Sequence, residues 1–128
     1  MKNLKLISLA IFAISAIIVS MSSCSPDKDV EFDKTLLTGK WQETNTLNFE
    51  VYNADGTGYT WDEGDGVYED EAQLFTWEVD ESEMIHVHKM EMGGDVPMYY
   101  IITELTESTL KYYDAYNEKD TYTFIKVY

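Results

Sequence analysis

The sequence predicts an all-β chain, an antiparallel up-and-down barrel of about eight strands behind a short helical turn. Three observations carry this. Hydrophobic residues recur with period two from about residue 40 to the end, the spacing of a half-buried strand. Turn signals interrupt that pattern at short intervals. Ten Tyr, five Phe and three Trp among 128 residues favour pleated, packed surfaces over helices.

The elements follow in order. "EFDKTLLTGK" is the one short helical piece, with Gly39 placed as a left-handed stop. "KWQETNTLNFEVYN" reads as strand, with Trp41, Leu47, Phe49 and Val51 sharing the odd positions. Asn53-Ala54-Asp55-Gly56 is a hairpin turn, because Asp-Gly accepts positive φ. "TGYTWDE" puts Tyr59 and Trp61 on one face, and "DEGDGVYEDE" is an acidic, glycine-containing loop. "AQLFTWEVD" aligns Phe75, Trp77 and Val79. "ESEMIHVHKMEM" sets Met84, His86, His88 and Met90 against Ile85 and Val87. After the "GGD" break, "VPMYYIITEL" is apolar on both faces, and "LKYYDAY" and "TYTFIKVY" complete the series. Consecutive strands with short turns leave two exposed edges unless the sheet closes, so a barrel is expected and an open sandwich is the alternative.

Composition narrows the function. Twenty-four acids face nine basic residues, all lysine, for a net charge of −15. A nucleic-acid partner is not expected, because phosphate binding needs a basic face. The single cysteine, Cys24, excludes an internal disulfide framework.

That cysteine ends a three-part leader. Lys2 and Lys5 make a positive front, Leu6 to Val19 is apolar apart from Ser8 and Ser15, and Ser22 and Ser23 precede Cys24. The order is that of a secretory signal peptide over residues 1–23. The apolar run falls short of the roughly 20 residues a spanning helix needs. Residues 24–34, which include "SPDKDVEFDK", read as an acidic tether, and 35–128 as the barrel domain.

Met21-Ser22-Ser23-Cys24 resembles a bacterial lipobox. The resemblance implies diacylglycerol on the Cys24 sulfur, cleavage before Cys24 and acylation of the new amino terminus. Membrane attachment would then run through the lipid, since more than one acyl chain makes anchoring stable. Asp27-Lys28-Asp29 is similar to the acidic export signals of Bacteroidetes surface lipoproteins; a solvated linker has the same composition. The implied location is the cell envelope, as an outer-membrane lipoprotein on the periplasmic face or the cell surface.

Gly39-Lys40-Trp41, a G-x-W triplet between a helical turn and the first strand, has the placement of the lipocalin signature. With "YNADGTGYTW" and the terminal "YTFIKVY", residues 33 to 128 resemble the small lipocalin-like lipoproteins of Bacteroidetes. The resemblance implies an eight-stranded extracytoplasmic barrel. In lipocalins an arginine of the last strand covers the signature tryptophan. This chain has no arginine, and Lys126 is the expected substitute over Trp41. Tyr59, Trp61, Phe75, Trp77, Tyr100, Tyr122 and Phe124 are the candidates to line a ligand cavity.

Other candidate sites are sparse. His86 and His88 share a strand face and would bind zinc only with a third ligand from elsewhere; otherwise they form a wall. Asp62, Glu63, Asp65, Glu69, Asp70 and Glu71 crowd one loop without the ordered spacing of a calcium-binding hand, so the loop is either a calcium site or merely solvated. No nucleophile motif or phosphate loop is visible, so neither an enzyme nor a resident cofactor is expected. Two functions compete: a monomeric barrel that takes a small apolar or amphipathic ligand, and a filled barrel serving as a surface interaction or structural module. A cavity of roughly 300 Å³ or more separates the first from the second.

Overall fold

The computed structural model describes residues 31–128. The leader, Cys24 and the start of the tether lie outside the described residues. The chain enters through Asp33, whose carboxylate accepts hydrogen bonds from the Thr35 amide and hydroxyl and caps a single 3-10 turn, Lys34–Leu37. Eight strands follow: β1 Gly39–Glu43, β2 Asn48–Tyr52, β3 Thr57–Asp62, β4 Gln73–Asp80, β5 Glu83–Lys89, β6 Asp95–Leu105, β7 Thr109–Asp114 and β8 Asn117–Lys126. Each pairs antiparallel with the next, and β8 returns to β1, so the sheet closes in chain order. Closure leaves neither β1 nor β8 as a bare edge, and the open sandwich is excluded.

Two local expectations change. Gly39 is not the stop of a helical turn but the first residue of β1, at φ +133°. A Cβ there would lie 2.5 Å from the Tyr128 carbonyl and 2.7 Å from Lys126 Cε. Glycine is required both for the backbone angle and for the close approach of the last strand.

The segment "KWQETNTLNFEVYN" is two strands, not one. It reverses over Thr44–Leu47, where Asn45 takes a left-handed conformation at φ 61° and the Thr46 hydroxyl accepts the Asn48 amide. Asparagine tolerates that conformation better than most residues. The turn also resets the alternation. Trp41 faces the lumen from β1, but on β2 it is Glu50 and Tyr52 that do so, while Phe49 and Val51 face outward.

The lumen is packed with side chains. Trp41, Tyr52, Phe75, Trp77, Met84, Tyr100, Ile102, Leu110, Tyr112 and Phe124 are all buried in one cluster. A β-bulge between Ile102 and Glu104 shifts the alternation of β6 once, so that Leu105 also turns inward opposite Leu110. Leu37 plugs the end at which the chain enters.

That end is sealed around Trp41. Its indole Nε1 donates to the Leu37 carbonyl at 2.8 Å. Lys126, paired with Trp41 across β1–β8, places Nζ 4.5 Å from the ring centroid. The same ammonium donates to the carbonyls of Leu36 and Thr38 at 2.9 and 2.7 Å. It thereby satisfies carbonyls that a short 3-10 turn leaves unpaired.

A second aromatic cluster lies outside the barrel. Phe49, Trp61 and Tyr59 stack in a row, with centroids 5.1 and 5.7 Å apart. The Lys40 ammonium sits 5.1 Å from the Phe49 centroid and 5.0 Å from that of Trp61, and it pairs with Glu69 at 3.7 Å.

Candidate functional site

Halfway along the lumen sits a carboxylic acid. Glu50 is buried on β2, and both its oxygens accept phenol hydrogens, one from Tyr52 and one from Tyr112 at 2.6 Å. The Tyr52 oxygen is also 2.8 Å from His86 Nε2. While the Glu50 carboxyl is ionised the Tyr52 hydrogen is committed to it, and His86 then carries its hydrogen on Nε2 and donates to Tyr52. The result is a chain from imidazole to phenol to carboxylate to phenol, spanning β5, β2 and β7.

The strands place these groups by simple rules. Glu50 and Tyr52 are two apart on β2 and therefore share its inner face. Register brings Trp77 opposite His86 on β4–β5, and Ile102 opposite Tyr112 on β6–β7. Rings then fill the gaps. Phe75 stacks on His86 at 4.5 Å, Tyr100 lies 5.0 Å from His86, and Tyr112 stacks on Phe124 at 5.5 Å.

Burial governs the charge states. It pushes the Glu50 carboxyl up to about 7, against the lowering effect of the two phenols, with the Glu43 charge raising it further. Burial holds His86 down at about 3, with His88 contributing. The Tyr52 and Tyr112 phenols are raised well above their ordinary range by burial and by the Glu50 charge. At neutral pH the cluster therefore holds a neutral imidazole, two neutral phenols and an acid near its midpoint.

Toward the end opposite Trp41, the inward side chains become half exposed. Glu43, His88, Met98 and Tyr122 border this mouth. Burial lowers the basicity of His88. Its Nδ1 lies 3.0 Å from Gln73 Oε1.

The predicted ligand-lining residues divide. Phe75, Trp77, Tyr100, Tyr122 and Phe124 face the lumen, where Tyr122 is half buried and the others are buried. Tyr59 and Trp61 do not. They pair in register with Val51 and Phe49 and belong to the outer stack, so both are corrected from cavity wall to exterior packing. Trp61 is nonetheless buried, because the loop after β3 folds back and Glu63 accepts its indole hydrogen at 3.0 Å.

His86 and His88 do share the inner face of β5, with ring centroids 5.7 Å apart. His86 is committed to Tyr52, and among the described residues no group of three His, Cys, Asp or Glu converges as metal ligands. Several acids of the 62–71 loop act locally: Asp62 accepts the Gly64 amide, Glu63 holds Trp61 and Glu69 pairs with Lys40.

Sequence reasoning missed Glu50, Tyr52 and Tyr112. An acid in a strand reads as a surface residue unless the strand's inward parity is known. The one available signal was Asn45, whose tolerance of a left-handed turn marks the reversal that turns Glu50 inward.

The fold and this site define a closed eight-stranded barrel with an ionisable group sequestered among aromatic rings. No protein-family model, no curated protein and no solved structure matches the chain.

Proposed function

We propose that the chain is a lipid-anchored, extracytoplasmic lipocalin-like protein, a monomeric binder and not an enzyme, that takes a small amphipathic molecule at the far mouth of its barrel. The observation that carries this is the change in exposure along the lumen. The inward side chains are buried from Trp41 through Tyr112 and half exposed at Glu43, His88, Met98 and Tyr122. A shallow site follows, with the Tyr122 ring and the Met98 thioether for an apolar body and Glu43 and His88 for a polar head. Anchoring rests on the lipobox-like segment ending at Cys24, and the family reading on Gly39-Lys40-Trp41 with Lys126 over the indole.

The test is native mass spectrometry of the full chain extracted from its own envelope. A bound small molecule that disappears in Tyr122→Ala, with the barrel still folded, supports the reading. Unliganded protein throughout would end it. Labelling with a fatty acid checks the anchor, and label that persists in Cys24→Ala would exclude Cys24 as the acceptor.

The second reading is a filled barrel that works only through its outer surface. It is favoured by the dense ring packing between Phe75, His86, Tyr100, Tyr112 and Phe124. It predicts no small-molecule adduct in the same experiment.

A further inference from the structure

At the rim of the barrel, Met90 lies two residues beyond His88, just past the end of β5, and Gln73 lies two residues before Phe75 at the start of β4; both are exposed. At this position one side-chain amide bridges two soft donors. Gln73 Oε1 lies 3.0 Å from His88 Nδ1, and Gln73 Nε2 lies 3.1 Å from Met90 Sδ. The imidazole nitrogen and the thioether sulfur therefore both point at the same carboxamide, from residues two apart in sequence at the end of β5. Met92 follows two residues later at the apex of the 90–94 turn and is 99 % exposed. Gly93 and Gly94 at that apex have open space around them, with no neighbour in reach of a Cβ. An open surface groove borders the cluster, lined by Gln73, Leu74, Met90 and Met92 among others.

We propose that His88, Met90 and Met92 form a binding site for a soft monovalent cation, Cu(I) or Ag(I), which the Gln73 amide covers in the metal-free protein. The donor set decides the class of ion. Thioether sulfur with imidazole suits soft monovalent metals, whereas zinc and calcium want thiolate, several imidazoles or carboxylates. No such harder set converges among the described residues. Gln73 accepts from Nδ1–H and donates to sulfur, so it satisfies both partners without a metal. On binding, the amide swings out, the His88 hydrogen moves to Nε2 through solvent, and Nδ1 and Sδ turn their lone pairs to the ion. No net proton is released. Met92 closes a three-coordinate site from the exposed apex.

The test uses the full chain, extracted in detergent, with its methionine methyl groups isotopically labelled. Silver(I) is added as the probe, and affinity is measured against a competing chelator. One equivalent should shift the Met90 and Met92 methyl signals together with the His88 ring. Met90→Leu and His88→Phe should each weaken binding at least about tenfold, the size of effect that even outer-shell partners exert on metal affinity. Comparison with these variants removes any contribution from the Cys24 sulfur. Gln73→Ala should tighten binding, because it removes the amide that competes for both donors, with the folded barrel confirmed by an unchanged unfolding midpoint. Shifts confined to Met92, equal affinity in parent and Met90→Leu, or zinc(II) binding at the same donors as tightly as silver would each overturn the proposal.

Discussion

Lys126 and Trp41 meet face to side across the seam where the barrel closes, with the ammonium 4.5 Å from the indole centroid and two backbone carbonyls completing its shell. One side chain thus joins the last strand, the first strand and the entry turn. Lys126→Met keeps the aliphatic stem and removes the charge, so it should lose the cation–ring contact, roughly 0.5 to 2 kcal/mol, together with both carbonyl contacts. Lys126→Ala should be worse, because the stem packs beside Gly39. Trp41→Ala should cost about 3 to 5 kcal/mol, as for a fully buried ring. A double-mutant cycle by urea denaturation measures the coupling; a value of zero would separate the two residues energetically.

Gly39 gives a sharper expectation. Gly39→Ala meets both a left-handed backbone angle and a carbonyl oxygen 2.5 Å from the new Cβ. The substitution should destabilise by about 2 to 3 kcal/mol, on the scale of one strained backbone site with added crowding. Combining it with Lys126→Ala should leave a smaller penalty than the sum, since one of the two clashing groups is then gone. Additive losses in the unfolding midpoints would contradict this.

The luminal pair Glu50 and His86 predicts how stability depends on pH. Glu50 has its folded value raised to about 7 from 4.5, so the folded state holds its proton more tightly. Its contribution is fully present below about pH 4.5 and is lost as pH rises to about 7. His86 behaves oppositely. Its folded value of about 3 lies below 6.5, so its penalty is greatest below pH 3 and disappears by about pH 6.5. The two slopes cancel between about 4.5 and 6.5. In Glu50→Gln the carboxyl contribution is gone, so stability should climb between about pH 4.5 and 6.5 where the parent is level, a gain relative to the parent of order 3 kcal/mol by pH 7. Parallel parent and variant curves over that range would show that Glu50 is not buried in charge-sensitive form.

If the mouth takes a ligand as proposed, Trp61 and Tyr122 should separate packing from binding. Trp61→Ala should lower stability by several kcal/mol, as large-to-small changes at buried rings do, yet leave ligand capture at the mouth unchanged. Tyr122→Ala should do the reverse, because its ring is only half buried. Chemical denaturation and ligand retention measured on both variants check the contrast; equal retention losses would put Trp61 back in the binding wall.

The barrel was legible in the sequence because its signals are local. Alternation over Phe75–Trp77–Val79 and over Tyr122–Phe124–Lys126 gives the inner face directly, and Asp55-Gly56 marks a hairpin. The misread strand faces share one physical source. The Thr44–Leu47 reversal carries no glycine or proline and only Asn45 to mark it, so the segment reads as one strand and the parity of its second half is inverted. Tyr59 and Trp61 inherited that error, since two aromatics on a strand look alike whether a lumen or a folded-back loop covers them. The Glu50 cluster was out of reach for a different reason. Its partners Tyr112 and His86 come from distant strands, and only register brings them within hydrogen-bonding distance.

Closure in chain order has a kinetic consequence. Seven of the eight strand pairings join neighbours in the sequence and can form hairpin by hairpin, all but β3–β4 across loops of five residues or fewer. The pairing of Trp41 with Lys126 joins the two extremes of the domain and carries the largest loop-closure entropy. The meander should therefore assemble first and the seam last, so that Lys126 substitutions speed unfolding while hardly slowing folding. Until the seam zips, β1 and β8 are both bare, and that interval is when two copies of the chain can exchange strands.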